Sequence, residues 1–320
     1  MRRLRPIVCS LLTVGALASG AALNAAPLAF VTNQGPDNVT VLDLESGKTL
    51  ATIAVGKDPA GVAWDARHRQ IFISNPSAGS VSVIAADRPD KAHSFATGQS
   101  PLGIATDPTR DRLYVADFYS RRVDIFSTRD FSRHGQFTLG NAPSGLAVTP
   151  DGHWLAVANR DDDNLALIDL RTGQRAAEIA VGGHPFGVTI APDGNTLFTA
   201  NVTSNDVSVV DLVARREVRR ITVGEAPYAS ALDVKRGRLF VTNQQGSTVS
   251  VISPLTGETL ATVNVGDYPE GIQYSVTRDR IYVASWFDNA LYEINPESFK
   301  LERTMACGDG SRAFGSFIAE

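Results

Sequence analysis

The chain has 320 residues, 43% of them hydrophobic and 20% charged, with a formal net charge of −4. That is the balance of a globular chain long enough to bury a large core. Its mild acidity argues against holding a phosphate backbone by charge, so no nucleic-acid partner is expected.

Residues 1–26 read as a cleaved secretory signal peptide. Arg2, Arg3 and Arg5 precede an apolar run from Ile7 to Ala18, and small residues follow from Ser19 to Ala26. The apolar run is shorter than a membrane span needs, so no span is expected after cleavage, and the periplasm or another secreted location is. Cys9 would leave with this segment and Cys307 would stand alone, so no disulfide could form within the mature chain. A buried small residue is the simplest role for Cys307.

From residue 27 on, one pattern repeats. Val55-Gly56-Lys57-Asp58-Pro59-Ala60-Gly61 returns around Gly98, Gly140, Gly182, Gly224 and Gly266, and in altered form from Gly308. These glycines are spaced by 42, and residues 27–320 contain seven such periods. Within one unit, Pro59–Trp64 is a short strand A, Gln70–Asn75 strand B and Val81–Ile84 strand C. A fourth strand, D, runs to Thr97. Strand B is apolar on both faces, as in Leu239-Phe240-Val241-Thr242, which fits a strand covered on both sides. Pro-Asp-Gly at 150–152 and 192–194 and Thr-Gly at 172–173 and 256–257 punctuate the turns. No ten-residue stretch shows helical periodicity, and every unit contains Gly and Pro. The reading is an all-β, seven-bladed β-propeller of four-stranded antiparallel blades, a single domain over 27–320. The mature chain starts on a B strand, Leu28–Asn33, and ends on an A-like piece, Arg312–Phe317. The C-terminal strand is therefore expected to supply the innermost strand of the first blade and close the ring.

The motifs Phe30-Val31-Thr32-Asn33, Phe240-Val241-Thr242-Asn243 and Val207-Ser208-Val209-Val210-Asp211, with the Val-Gly-x-x-Pro-x-Gly loops, resemble the YVTN repeat family. The resemblance covers the whole of 27–320. It implies an exported bacterial propeller and carries no single activity. Similar proteins include surface-layer proteins and relatives associated with redox and quinoprotein systems, with lactone-hydrolysing propellers more distant.

Repetition itself separates structural from functional candidates. A residue type present in every blade does one structural job seven times, whereas a residue that breaks the pattern has no such job. The end of strand B reads Asn33, Asn75, Asp117, Asn159, Asn201, Asn243, Ser285, which suits a repeated cap on the neighbouring loop. The position after the Pro varies instead: Ala60, Leu102, Ser144, Phe186, Tyr228, Glu270, Arg312. Phe186 and Tyr228 could form an apolar wall of a ligand pocket in the central funnel. Glu270 and Arg312, neighbours in the ring, could orient a polar group, unless the four simply plug the channel. His184, Tyr268 and Trp286 would rim the opening. Phe118, Tyr119 and Arg121 occupy another B–C loop and suit a partner surface.

Other chemistries lack their signatures. No Cys-x-x-Cys-His or Gly-x-Ser-x-Gly occurs, and the five histidines fall at unrelated repeat positions. Asp161-Asp162-Asp163 are adjacent, so their side chains point apart rather than toward one ion. Neither metal nor cofactor is expected. The leading expectation is a binding or scaffold protein that engages a small ligand or a partner at the face formed by the D–A and B–C loops, and not an enzyme. The alternatives are a lactonase-like or lyase site in the funnel, with His184 or Glu270 as base and Arg312 stabilising negative charge, and an accessory of a periplasmic redox system.

Overall fold

The computed structural model describes residues 27–320, so the expected leader lies outside the described residues. Seven sheets follow one another around the ring, six of four strands and one of five. Blade 1 is built on Leu28–Asn33, blade 2 on Gly61–Asp65 and its successors, and blades 3 to 7 open at Pro101, Pro143, Pro185, Pro227 and Pro269. The fold is a seven-bladed, all-β propeller. Two single turns of 3-10 helix, Pro76–Ala78 and Arg160–Asp162, sit in B–C loops.

Burial follows the expected role of each strand. Strand B is covered along its length, as in Arg238–Asn243, because it has a sheet neighbour on each side and a blade against each face. The outer strand Thr49–Ala54 alternates and is mostly exposed. The second-strand side chains, among them Phe30, Phe72, Phe240 and Tyr282, fill the spaces between blades.

Glycines at two positions of the repeat make room for close approaches, the second being replaced by Ala229 in blade 6 and Ala313 in the closing segment. A Cβ on Gly56 would lie 2.6 Å from Cγ of Asn75, and one on Gly224 would lie 2.5 Å from Cγ of Asn243. The glycine thus makes room for the amide that ends the next B strand. The second glycine, after the Pro, lets adjacent inner strands touch: a Cβ on Gly145 would fall 2.1 Å from the carbonyl oxygen of Phe186. The inner strands of blades 3 to 7 are bulged at this point, between the Pro and the third residue after it. Hydroxyls of strand B reinforce the contact. Thr32, Ser74 and Thr242 donate to the carbonyls of Ala60, Leu102 and Glu270 at 3.2, 2.7 and 3.0 Å.

The ring closes between the C-terminal segment and blade 1, but not over the span the sequence suggests. Ile318–Ala319 is the innermost strand of blade 1, paired antiparallel with Leu28–Ala29, and Ser311 bridges Asn33. Between them, Phe314–Gly315 swings to pair in parallel with Gly61–Val62 of blade 2. The detour is the inner-strand bulge in exaggerated form: Ala313 and Gly315 take φ of 54° and 113°. The seam is sealed further by Gln273 Oε1, which accepts from the amides of Phe317 and Ile318 at 2.7 and 2.9 Å. Glu320 adds a cap, accepting from Ser275 Oγ at 2.7 Å and the Val276 amide at 3.0 Å. Blades 2, 3 and 6 use their own Asp65, Asp107 and Asp233 for this turn; blade 7 has Ser275 there and borrows a carboxylate across the seam.

Candidate functional site

The inner strands carry the residues after each Pro to one end of the channel. Phe186, Tyr228, Glu270 and Arg312 meet there. The rings of Phe186 and Tyr228 are 4.2 Å apart, and Phe314 joins them at 5.1 and 5.6 Å. Leu102 packs on the same cluster from the opposite side. Arg312 Nε lies 2.5 Å from Glu270 Oε2, and Arg312 also donates to the Tyr228 hydroxyl. Gln244 Nε2 holds the other Glu270 oxygen at 2.6 Å. Glu270 is wholly buried and Phe186, Tyr228 and Phe314 nearly so. These residues fill this end of the channel.

Burial dominates the electrostatics. It pushes the Glu270 carboxyl above the usual carboxylate range, against the pull of Arg312. It also raises the Tyr228 hydroxyl, which Arg312 opposes. A charged pair taken out of water in this way stands or falls together, since either partner alone would be a buried, uncompensated charge.

Above the plug, the loops form an aromatic surface. The Arg312 guanidinium lies 5.2 Å from the Trp286 ring, so that Trp286 sits on the plug. Tyr268 meets Trp286 edge-on at 6.1 Å and Phe287 at 5.3 Å. Phe287 is 66% exposed. In blade 3, Phe118 packs edge-on to Tyr119 at 5.1 Å and lies under Arg160 at 5.9 Å. Tyr119 is 74% exposed, and Arg121 is exposed beside it. Sequence reasoning thus named a group that meets in space (Phe186, Tyr228, Tyr268, Glu270, Trp286, Arg312) and a separate one (Phe118, Tyr119, Arg121). Among the described residues, His184 joins neither group by an aromatic or ionic contact. It is half-buried, adopts φ of 51°, and its amide is held by Asp163 at 2.8 Å. Left-handed residues precede the Pro in blades 2, 4, 6 and 7 as well, at Asp58, Ala142, Ala226 and Tyr268, so the backbone conformation is common property.

Gln244 and Phe314 are not among the residues the sequence singles out. Phe314 breaks the repeat, standing where other blades have Val62, Ile104 and Leu146, whereas Gln244 occupies a variable position that reads Phe118 and Trp286 in other blades and is also Gln in blade 1, at Gln34.

The repeated polar ring is occupied by capping. Asn243 donates to Thr248 and Ser250 at 2.9 Å and accepts from the Gly224 amide at 3.1 Å; Asn33 does the same for Asn38, Thr40 and Gly308. The three adjacent acids also have separate duties. Asp161 pairs with Arg160, Asp162 takes the Asn141 amide, and Asp163 takes that of His184. Among the described residues no group of acids, histidines and cysteines could hold a metal. Burial pushes the Cys307 thiol up to about 12, which keeps it protonated and unreactive at neutral pH.

Comparison with known proteins supports the class of fold. The family described as a lactonase, 7-bladed beta-propeller, matches residues 127–218. That stretch includes His184 and Phe186 and excludes Tyr228, Glu270 and Arg312. No curated protein matches. Among solved structures, hydrazine synthase of Kuenenia stuttgartiensis superposes with a TM-score of 0.76 at 19% identity, over 84% of this chain and 92% of that one. A functionally unknown protein of Desulfotomaculum acetoxidans gives 0.76 at 14%, over 90% and 99%. A protein of Lactobacillus plantarum gives 0.76 at 17%, over 92% and 98%. At these identities the likeness is one of fold.

Proposed function

We propose that this chain is an exported binding scaffold of the YVTN-like kind, and that it docks a partner protein on the face formed by the D–A and B–C loops. The observation that carries this reading is the contrast on that face. The channel end is filled by Phe186, Tyr228, Phe314 and the Arg312–Glu270 pair, while Tyr119 and Phe287 stand out from it at 74% and 66% exposure. A small ligand has no room among buried plug residues. Exposed aromatics on rigid loops, with Arg121 and Arg160 beside one group, are the anchors of protein interfaces.

The test places a photo-crosslinking residue at position 287 in the native host. A discrete adduct is expected that weakens in Tyr119→Ala and Trp286→Ala and is missing when the crosslinker replaces Leu255, an exposed apolar residue elsewhere. The same adducts at both positions would sink the reading. Export is tested by amino-terminal sequencing of the mature protein, expected to begin near residue 27.

The family match over 127–218 favours one second reading, lactone hydrolysis. The raised carboxyl of Glu270, against Arg312 and Tyr228, would be its acid–base group. It requires the plug to open. Hydrolysis of a simple lactone, lost in Glu270→Gln, would replace the scaffold reading.

A further inference from the structure

The plug closes one end of the channel only. Beyond Phe314 the channel continues as a cavity of about 350 Å³, within the size range of small-molecule sites. It widens toward the A–B turns, where Val234 is 45% exposed and Ser316 is also exposed. Phe314 forms its floor, so one ring separates the two ends.

The lining is two-sided. None of its side chains carries a charge. Ile104, Leu146 and Val148 give blades 3 and 4 an apolar wall. On the facing side, among apolar residues such as Val188 and Ile272, three positions break the repeat in the polar direction. Thr189 and Gln273 stand where blades 2, 3 and 4 have Ala63, Ala105 and Ala147, and Ser230 stands where they have Val62, Ile104 and Leu146. Thr189 and Ser230 are locked together: Thr189 Oγ1 donates to the Ser230 carbonyl at 2.8 Å and accepts from Ser230 Oγ at 3.0 Å. Gln273 spends its Oε1 on the closing strand, which leaves its Nε2 as the free donor. The bulged inner strands add backbone groups along the same wall.

We infer that this cavity binds an uncharged molecule about the size of a single ring, with hydrocarbon toward blades 3 and 4 and a hydroxyl that donates to Ser230 Oγ and accepts from Gln273 Nε2. A charged ligand is disfavoured because no counter-charge lines the site, and burying an unpaired charge is costly. The site is separate from the loop face of the docking reading.

The experiment is saturation-transfer NMR on residues 27–320 with two probes of the same ring, cyclohexanol and cyclohexanecarboxylate. Cyclohexanol is expected to bind about tenfold more tightly than the carboxylate, and Val148→Phe, at the wide end, to weaken it about tenfold. Ala147→Leu is a second occluding variant should Val148→Phe fail to fold. Tyr119→Ala and Trp286→Ala should leave probe binding unchanged while they reduce crosslinking from position 287, which keeps the two readings distinguishable. Equal binding of both probes, no transfer from cyclohexanol, or transfer that survives occlusion in a folded variant would overturn the inference.

Discussion

Two arginine–carboxylate pairs sit at opposite ends of this propeller and behave oppositely. At the plugged end, Arg312 meets Glu270 in a fully buried setting, and burial holds the carboxyl above its usual range. At the open end, Arg236 grips Asp279 with two bonds of 2.8 Å, and Lys235 and Tyr274 add contacts at 2.7 and 2.9 Å. There the bonds from Arg236 and Lys235 hold the carboxyl well below its usual range. The chemistry is the same and the surroundings differ. Water remains near Asp279, whose side chain is 28% exposed, so pairing outweighs desolvation; around Glu270 desolvation outweighs pairing. A buried pair of this kind fixes geometry more than it adds stability, which suits a plug.

Substitutions at the two ends should separate these behaviours. The largest effect should come from deleting Ser311–Glu320, which removes the closing strand, Arg312 and Phe314 together. Loss of the cooperative melting transition is expected by calorimetry, and an unchanged transition would contradict closure by this segment. Next, Arg312→Ala should cost about 3–5 kcal/mol, because it leaves the buried Glu270 carboxyl without its counter-charge. Denaturant titration checks this, and adding Glu270→Gln should return part of the loss. Asp279→Ala, at the wetter end, should cost only about 1–2 kcal/mol.

The two carboxyls should also differ in the sign of their pH dependence. The folded pKa of Asp279 lies below its unfolded value of about 4, so its contribution is present above that value and fades as the pH falls toward the folded one. The folded pKa of Glu270 lies above its unfolded value, so its contribution is full at low pH and diminishes as the pH rises through the unfolded value toward the folded one. Stability of wild type relative to Asp279→Asn should therefore fall on acidification, and relative to Glu270→Gln it should rise. The smallest effect is expected for Tyr119→Ala and Phe287→Ala, within about 0.5 kcal/mol, since neither side chain is buried. A larger loss would mean that these rings belong to the fold and are not spare surface.

Much of the fold was legible because its constraints are local and repeated. The glycine at 56 and its counterparts make room for the amide at 75 and its counterparts, and the inner-strand glycine lets neighbouring carbonyls approach. The first constraint recurs every 42 residues and the second does so except at Ala229 and Ala313, so one blade explains most of the others. The closing segment is less local. Its span shifted from Arg312–Phe317 to Ile318–Ala319 because Phe314 and Gly315 leave blade 1 for blade 2. Glu320, capping a turn of blade 7, gave no local sign of that role, since the missing carboxylate at Ser275 lies 45 residues away.

The residues after the Pro show the same division. Their variability marked Phe186, Tyr228, Glu270 and Arg312 as exceptions to the repeat, and periodicity put them at one level of the ring. Whether they line an opening or fill it depends on side-chain size against channel width, and on Phe314 and Gln244 arriving from other positions. The repeat, the strand order and the ring can be read along the chain, because they follow from spacing and backbone room. Which end of the channel is shut and which is open emerges only when the blades are assembled, because packing and desolvation are summed over all seven at once.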